Sequence, residues 1–313
     1  MTLPFEVWFF FEVVLNGLFT GTMYSLVALG FVLIFKASGV FNFAQGIMVL
    51  FAALNFVGFI EMGLHPLLAG AITVAIMIAL AYAVEGLVLR HLVNQAPIIL
   101  FMSTIGIAFF LEGFGEFIWG GDVHALDVGI PNGAWFVGDM MIQQFDVSQA
   151  IIAAVLVAAL AAFFTYTRIG RALRAVADDH QAALSVGIPL NQIWVIVWAV
   201  AGIVALVAGI IWGARLGVQF SLSIIALKAL PVLILGGFTS VPGAIIGGLI
   251  IGTGEKLAEI YGAPAFEELV KATTGVDSIS FGGVEEWFAY VLAMIFLFFR
   301  PQGLFGDRII ERV

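Results

Sequence analysis

The feature that most constrains this chain is a succession of apolar stretches, each about as long as a bilayer-crossing helix. A hydrocarbon core about 30 Å thick needs roughly 20 predominantly apolar residues in a helix. Such stretches fall at 10–35, 40–60, 66–89, 98–118, 148–166, 193–214, 222–238, 241–257 and 284–300. The seventh and eighth are short and are divided by GGFTSVPG at 236–243, so this region reads either as two short spans or as one span plus a re-entrant piece. The composition agrees. With 62% of residues hydrophobic and 11% charged, against about 45–50% and about 25% in soluble domains, the chain has too little polar surface to cover itself in water. The expected fold class is all-α: a polytopic integral membrane protein of about 8–9 transmembrane helices, forming one membrane domain over 1–313.

The basic residues orient these spans, because loops facing the cytoplasm carry the excess of Lys and Arg. Arg168, Arg171 and Arg174 cluster after the fifth stretch. With that loop inside, alternation also places Lys36 and Arg90 inside, and nine spans bring in the tail with Arg300, Arg308 and Arg312. The opposite side receives 119–147 and 258–283, which carry Asp122, Asp127, Asp139, Asp146, Glu267, Glu268 and Asp277 but, as a base, only Lys271. These two stretches are expected to be extracytoplasmic loops, with the N-terminus outside and the C-terminus cytoplasmic. An eight-span count would strand the C-terminal arginines outside. The N-terminus, MTLPFEVWFFFEVV, lacks a basic n-region and a small-residue cleavage site, so the first helix reads as the insertion signal. No cysteine is present, which excludes disulfides and thiolate metal sites. No basic stripe suited to nucleic acid exists. The chain has 36 glycines. Those at 243, 247 and 248 with Ala244, and those at 202 and 209 with Ala201 and Ala205, form small-residue faces of the kind that let membrane helices approach closely.

One loop differs from the rest. Residues 167–192 are too polar to span and too rich in helix formers to be disordered. Positions 171–179 read as a helix that 182–186 continue, Gly187 as its terminator and Pro189 as a barrier to further helix. The result is a short amphipathic helix beside the cytoplasmic face. Basic residues suit such a helix to anionic membrane lipid. It equally suits docking to a cytoplasmic partner that drives the membrane helices.

The order of residues here carries a resemblance. GRALRA at 170–175, ADD at 177–179, Ala182-Ala183 and Gly187-Ile188 before a new span resemble the coupling-loop motif of ABC importer permeases of the branched-chain amino acid family, the shorter permease type. Asn16-Gly17-Leu18 with Gly21 and YSLVALG at 24–30, GVFNFAQG at 39–46, Gly236-Gly237 with VPGAIIGG at 241–248, and FRPQGLFG at 299–306 resemble further pieces of that family in the same order. The stretch 261–283 is longer than the family minimum. The resemblance implies one transmembrane permease domain that forms half of a pore with a second, related permease subunit. It implies two cytoplasmic ATP-binding subunits, with no cofactor on this chain and ATP on those partners, and a periplasmic substrate-binding protein. The implied setting is the bacterial inner membrane and the implied cargo branched-chain or other hydrophobic amino acids, with urea and short amides carried by relatives. Matched onto this chain, Arg171, Ala172, Arg174, Ala175, Asp178, Asp179, Ala183 and Gly187 are the expected ATPase-coupling residues. The arginines would pair with acids on the ATPase, the alanines allow close seating, and the aspartates cap or orient the helix.

Ionisable groups inside spans are costly and are functional candidates by default. Glu12, Glu85 and Glu116 lie near expected span ends, where the interface solvates them. Glu112 and Lys228 lie deeper, placed either to pair with backbone or with each other or to line an aqueous path. Ser38, Asn42 and Gln45, beside Gly39 and Gly46, and Ser240 in the 236–243 stretch mark places where a helix breaks. Such breaks either present backbone groups to cargo, as discontinuous transporter helices do, or are tight turns between packed helices. The four histidines lack metal-ligand spacing, and no Walker-type phosphate loop or catalytic triad is found. A self-contained secondary transporter or channel and a membrane-embedded enzyme remain as the competing readings. The loop at 167–192 separates the first reading from both, because a self-sufficient carrier has no use for it.

Overall fold

The computed structural model describes residues 5–92, 95–131, 133–178, 180–274 and 282–306. In chain order it contains α1 (Phe5–Ser38), α2 (Gln45–Glu61), α3 (Pro66–Leu87), a 3-10 turn at Leu89–Leu92 and α4 (Pro97–Trp119). A hairpin of β1 (Ala134–Val137) and β2 (Met140–Gln143) leads into α5 (Gln144–Tyr166). Then follow α6 (Arg168–Asp178), α7 (His180–Ser185), α8 (Leu190–Leu216), α9 (Ser221–Ile225), α10 (Leu230–Gly236), α11 (Val241–Leu257), α12 (Ala263–Thr274) and α13 (Val284–Phe299). Among the described residues, six helical stretches are long and apolar enough to cross a bilayer, and Gln45–Glu61, Ser221–Gly236 and Glu286–Phe299 are shorter apolar helices. The protein is a polytopic membrane protein whose regular elements, among the described residues, are helical apart from the one hairpin.

The expected spans recur as helices with three differences. The second begins at Gln45 rather than 40, because Gly39 (φ 70°) ends α1 and the following residues form a turn. Residues 258–274, expected as loop, continue α11 through a π-helical turn at Ala258–Gly262 into α12. Part of 119–147 folds as the hairpin, which closes through Gly138 (φ 65°) between strands in the register Val137–Met140. Of the 261–283 stretch, 275–281 lie outside the described residues.

The chain divides into two compact units, one of Leu26–Gly129 with Val155–Leu227 and one of Met1–Ser25, Ile130–Ala154 and Lys228–Val313. In the first, α2 is the core: every residue from Gln45 to Gly58 is buried, as expected of a helix apolar all round. It packs against α3, α4, α8 and α9. Small residues set these approaches. A Cβ on Gly209 of α8 would stand 2.6 Å from the Val49 carbonyl oxygen, and one on Gly46 would stand 2.5 Å from the Ser223 carbonyl oxygen.

In the second unit, α11 is gripped on two faces by glycine. Gly248 and Gly252 meet Gly17 and Gly21 of α1, so two small-xxx-small pairs cross backbone to backbone. Gly243 and Gly247 meet the backbone of α10 at Gly236 and Val232. Ser25 Oγ spans the first crossing, bonding to the Gly21 and Ile245 carbonyl oxygens at 2.8 and 3.1 Å. The segment after α13 returns to α10: the amides of Leu304 and Phe305 donate to the carbonyls of Leu235 and Gly236 at 2.8 and 3.2 Å. Those carbonyls lie in the last turn of a helix and lack intrahelical donors. Glu12 accepts a hydrogen bond from the Met141 amide at 3.0 Å and so steadies the hairpin.

Candidate functional site

The loop at 167–192 is helical over Arg168–Asp178 and His180–Ser185 and is pinned to the end of α5. Thr167 begins α6, its Oγ1 accepting from the Gly170 amide at 3.0 Å. Gly170 is pressed against the backbone of Phe164, which a side chain there would strike. Leu173, Val176 and Ala183 are the buried face, 1%, 0% and 2% exposed. Arg174 donates to the Phe164 carbonyl and, at 3.4 Å, to the Thr165 carbonyl; Arg171 donates to the Tyr166 carbonyl at 3.4 Å. The two guanidinium groups thus cap the C-terminal turn of α5, where orphan carbonyls and the negative end of the helix dipole favour cations. A guanidinium carries five donors, so this role leaves both arginines others to offer. Ala172 and Ala175 are half-buried. Asp179 and the side chain of Asp178 lie outside the described residues.

Gly187 ends α7 with φ 85°. Its amide donates to the Leu184 carbonyl and the Ile188 amide to the Ala183 carbonyl, both at 3.0 Å, a Schellman closure. Leu184 and Val186 stand exposed at 52% and 74%. Beside them Arg90 holds the buried carboxylate of Glu85 in a two-pronged bond, at 3.2 and 3.1 Å. These two residues share a groove of about 520 Å³ with Leu184, Pro189, Asn191 and Trp194. Trp194 donates to the carbonyl of Ala37, next to Lys36, at 3.3 Å. The ends of α1 and α3 and the start of α8 therefore meet at one end of this unit, with Lys36 and Arg90 there.

We expect Arg174→Ala to lower the thermal unfolding midpoint of the detergent-solubilised protein. The loss is that of charge-assisted hydrogen bonds, about 1.5–3 kcal/mol. An unchanged midpoint with lost transport would instead make Arg174 a contact to a partner.

The residues proposed along a substrate path separate into two groups. Ser38 Oγ accepts from the Val40 amide at 3.2 Å, Asn42 Oδ1 accepts from the Ala44 amide at 3.1 Å, and Ser240 Oγ accepts from the Gly243 amide at 3.0 Å. These three shape the starts and ends of helices. Gln45, wholly buried over Gly30, donates to the Ala201 carbonyl at 3.4 Å, and its Oε1 has no hydrogen-bond partner among the described residues. Glu112 on α4, by contrast, lines a cavity of about 230 Å³ between α2, α4 and α9, among Phe31, Phe41, Phe43, Phe109 and Phe220. Lys228 is half-buried on the 3-10 turn Ala226–Ala229 of the other unit. The aromatic lining was not visible in the sequence; its one signal was Gly46, the small residue that lets α9 approach α2.

Comparison with known proteins adds the identity of the fold. The family model described as "Branched-chain amino acid transport system / permease component" matches residues 13–300. The high-affinity branched-chain amino acid transport system permease protein LivH of Escherichia coli (strain K12) is 30% identical over 328 residues, covering 97% of this chain and 98% of the relative. The corresponding permease BraD of Pseudomonas aeruginosa is 27% identical over 323 residues, covering 98% and 99%. The ribose import permease protein RbsC of E. coli (strain K12) matches at 28% over 171 residues, 51% of this chain and 47% of the relative. The chain is a multi-pass membrane protein belonging to the branched-chain amino acid transport system permease family.

Proposed function

We propose that this chain is the membrane-spanning permease subunit of an ABC importer for branched-chain or other hydrophobic amino acids. It pairs with a second, related permease, takes cargo from a periplasmic binding protein, and is driven by two cytoplasmic ATP-binding subunits. It hydrolyses no ATP itself. The observation that carries the reading is the segment of α6 and α7 with the residues that follow them. A loop whose buried face is locked to the end of α5, and whose Leu184 and Val186 are left bare, is built to receive a partner and to pass its movement to α5 and α8. The length-wide likeness to permeases named for branched-chain amino acids supports the cargo class. In this reading the end with Lys36, Arg90 and the segment of α6 and α7 is cytoplasmic, as the basic residues favour, in a bacterial inner membrane with the N-terminus outside and the C-terminus inside.

The test is affinity purification of the chain from detergent-solubilised native membranes, followed by mass spectrometry and by uptake in proteoliposomes. Recovery of a second permease and two nucleotide-binding subunits, with leucine uptake that requires ATP, is the expected result. Recovery of the chain alone, with uptake needing no ATPase, would establish a self-contained carrier instead.

A further inference from the structure

The wall of the α2–α4–α9 cavity is apolar except at two residues that carry side-chain oxygens, Glu112 and Ser223. Ser223 Oγ already donates its proton to the Phe220 carbonyl at 2.7 Å, so its hydroxyl has only lone pairs left to offer. An ionised carboxylate is likewise an acceptor alone. Both polar groups of the wall therefore ask a ligand for donors and offer none. The aromatic rings complement this. The face of a phenylalanine attracts a cation, and five of them line the wall. A carboxylate set into apolar surroundings without a counter-charge is unfavourable, and a bound cation removes that cost. The space is several times the roughly 30 Å³ that one water takes up in the liquid, which suits a small organic cation rather than a metal ion. Phe109 and Ile224, 69% and 52% exposed, stand at the rim.

We propose that this cavity binds a primary ammonium joined to an aliphatic body, with the ammonium on Glu112 and the aliphatic part against the phenylalanines. The inference rests on the reading of the chain as an amino-acid permease, and it deepens that reading. The site selects the amino end of the cargo and turns the carboxylate end outward, away from Glu112. The same chemistry could arrive as a free amino acid or as the headgroup of an aminophospholipid.

The experiment uses the full transporter as purified, in lipid nanodiscs, and a diazirine analogue of leucine as photoprobe. Adducts are expected on peptides carrying Phe43, Phe109 or Phe220. Excess leucine or 3-methylbutylamine should suppress them at least tenfold, whereas 4-methylpentanoate, which has the carboxylate and no amine, should not. Glu112→Gln should cut labelling at least tenfold and Glu112→Asp should restore much of it. Ile224→Trp, at the rim, should block labelling without touching the carboxylate. Nanodiscs containing phosphatidylethanolamine are compared with phosphatidylcholine alone. Suppression by the former assigns the ammonium to lipid, and no suppression assigns it to cargo. Adducts elsewhere, equal competition by 4-methylpentanoate, or unchanged labelling in Glu112→Gln would overturn the site. If ATP-driven leucine uptake also persisted in Glu112→Gln, the permease reading would stand without it.

Discussion

Gly252→Leu should leave almost no folded protein in the membrane. At this position α11 and α1 touch through backbone: an added Cβ would stand 2.5 Å from the Cα of Gly21 and 2.6 Å from the carbonyl oxygen of Gly17. No side chain can turn aside there, so the helices must separate. The separation would also strip the neighbouring contacts of Gly17 and Gly248 and the Ser25 bond to Ile245. Overpacking usually costs about 1–3 kcal/mol, and a leucine driven into two backbones at once should reach or exceed the top of that range. Against total stabilities of about 5–15 kcal/mol, that is a large share. The comparison is Gly106→Ala on α4, where nothing lies within 4 Å of the added Cβ. Alanine is favoured over glycine in a helix by about 1 kcal/mol, so this variant should accumulate at least as well as the parent. Membrane-fraction immunoblots and size-exclusion profiles read both. Normal accumulation of Gly252→Leu would mean that the α1–α11 crossing is not close in the folded protein.

The second large effect is functional. Val186→Asp should reduce ATP-driven uptake at least tenfold while leaving the amount of folded protein unchanged. Val186 is 74% exposed, and surface substitutions of this kind usually change stability by no more than about 0.5 kcal/mol. Seated in a partner's cleft, however, the aspartate would be a desolvated charge without a counter-ion, which costs several kcal/mol. A tenfold loss needs only about 1.4 kcal/mol. Uptake within twofold of the parent, with the ATPase subunits still bound, would remove the segment of α6 and α7 from the coupling path.

Most of the helical architecture could be read from hydropathy, because a span must be apolar over a fixed length whatever it packs against. The start of α2 shows the limit. The second stretch reads from position 40, although Gly39, Asn42 and Gln45 mark a break there; the backbone turns at that point, with Asn42 Oδ1 accepting from the Ala44 amide, and the helix starts only at Gln45. The acidic residues of the tract 258–274 place it outside the membrane as a loop, and hydropathy gives no sign that its backbone stays helical through a π-helical turn. In the 167–192 loop the terminator at Gly187 and the break before Pro189 were legible, since both follow from the residue's own backbone preference. The inward capping by Arg174 was not, because it depends on the last turn of α5, with Phe164 ten positions earlier, running in a particular direction. The cavity was the least legible part. Glu112 stood out as a lone charge, but its phenylalanine neighbours come from two separate helices and two connecting segments, and no periodicity in one segment points to another.

The return of residues 304 and 305 to α10 has a consequence for the order in which the protein is made. The carbonyls of Leu235 and Gly236 leave the ribosome long before the amides that satisfy them. Until residues 304 and 305 have been made, the last turn of α10 lacks these donors. A chain halted by a premature stop before 301 would hold every long helix of this fold and still expose that unfinished turn.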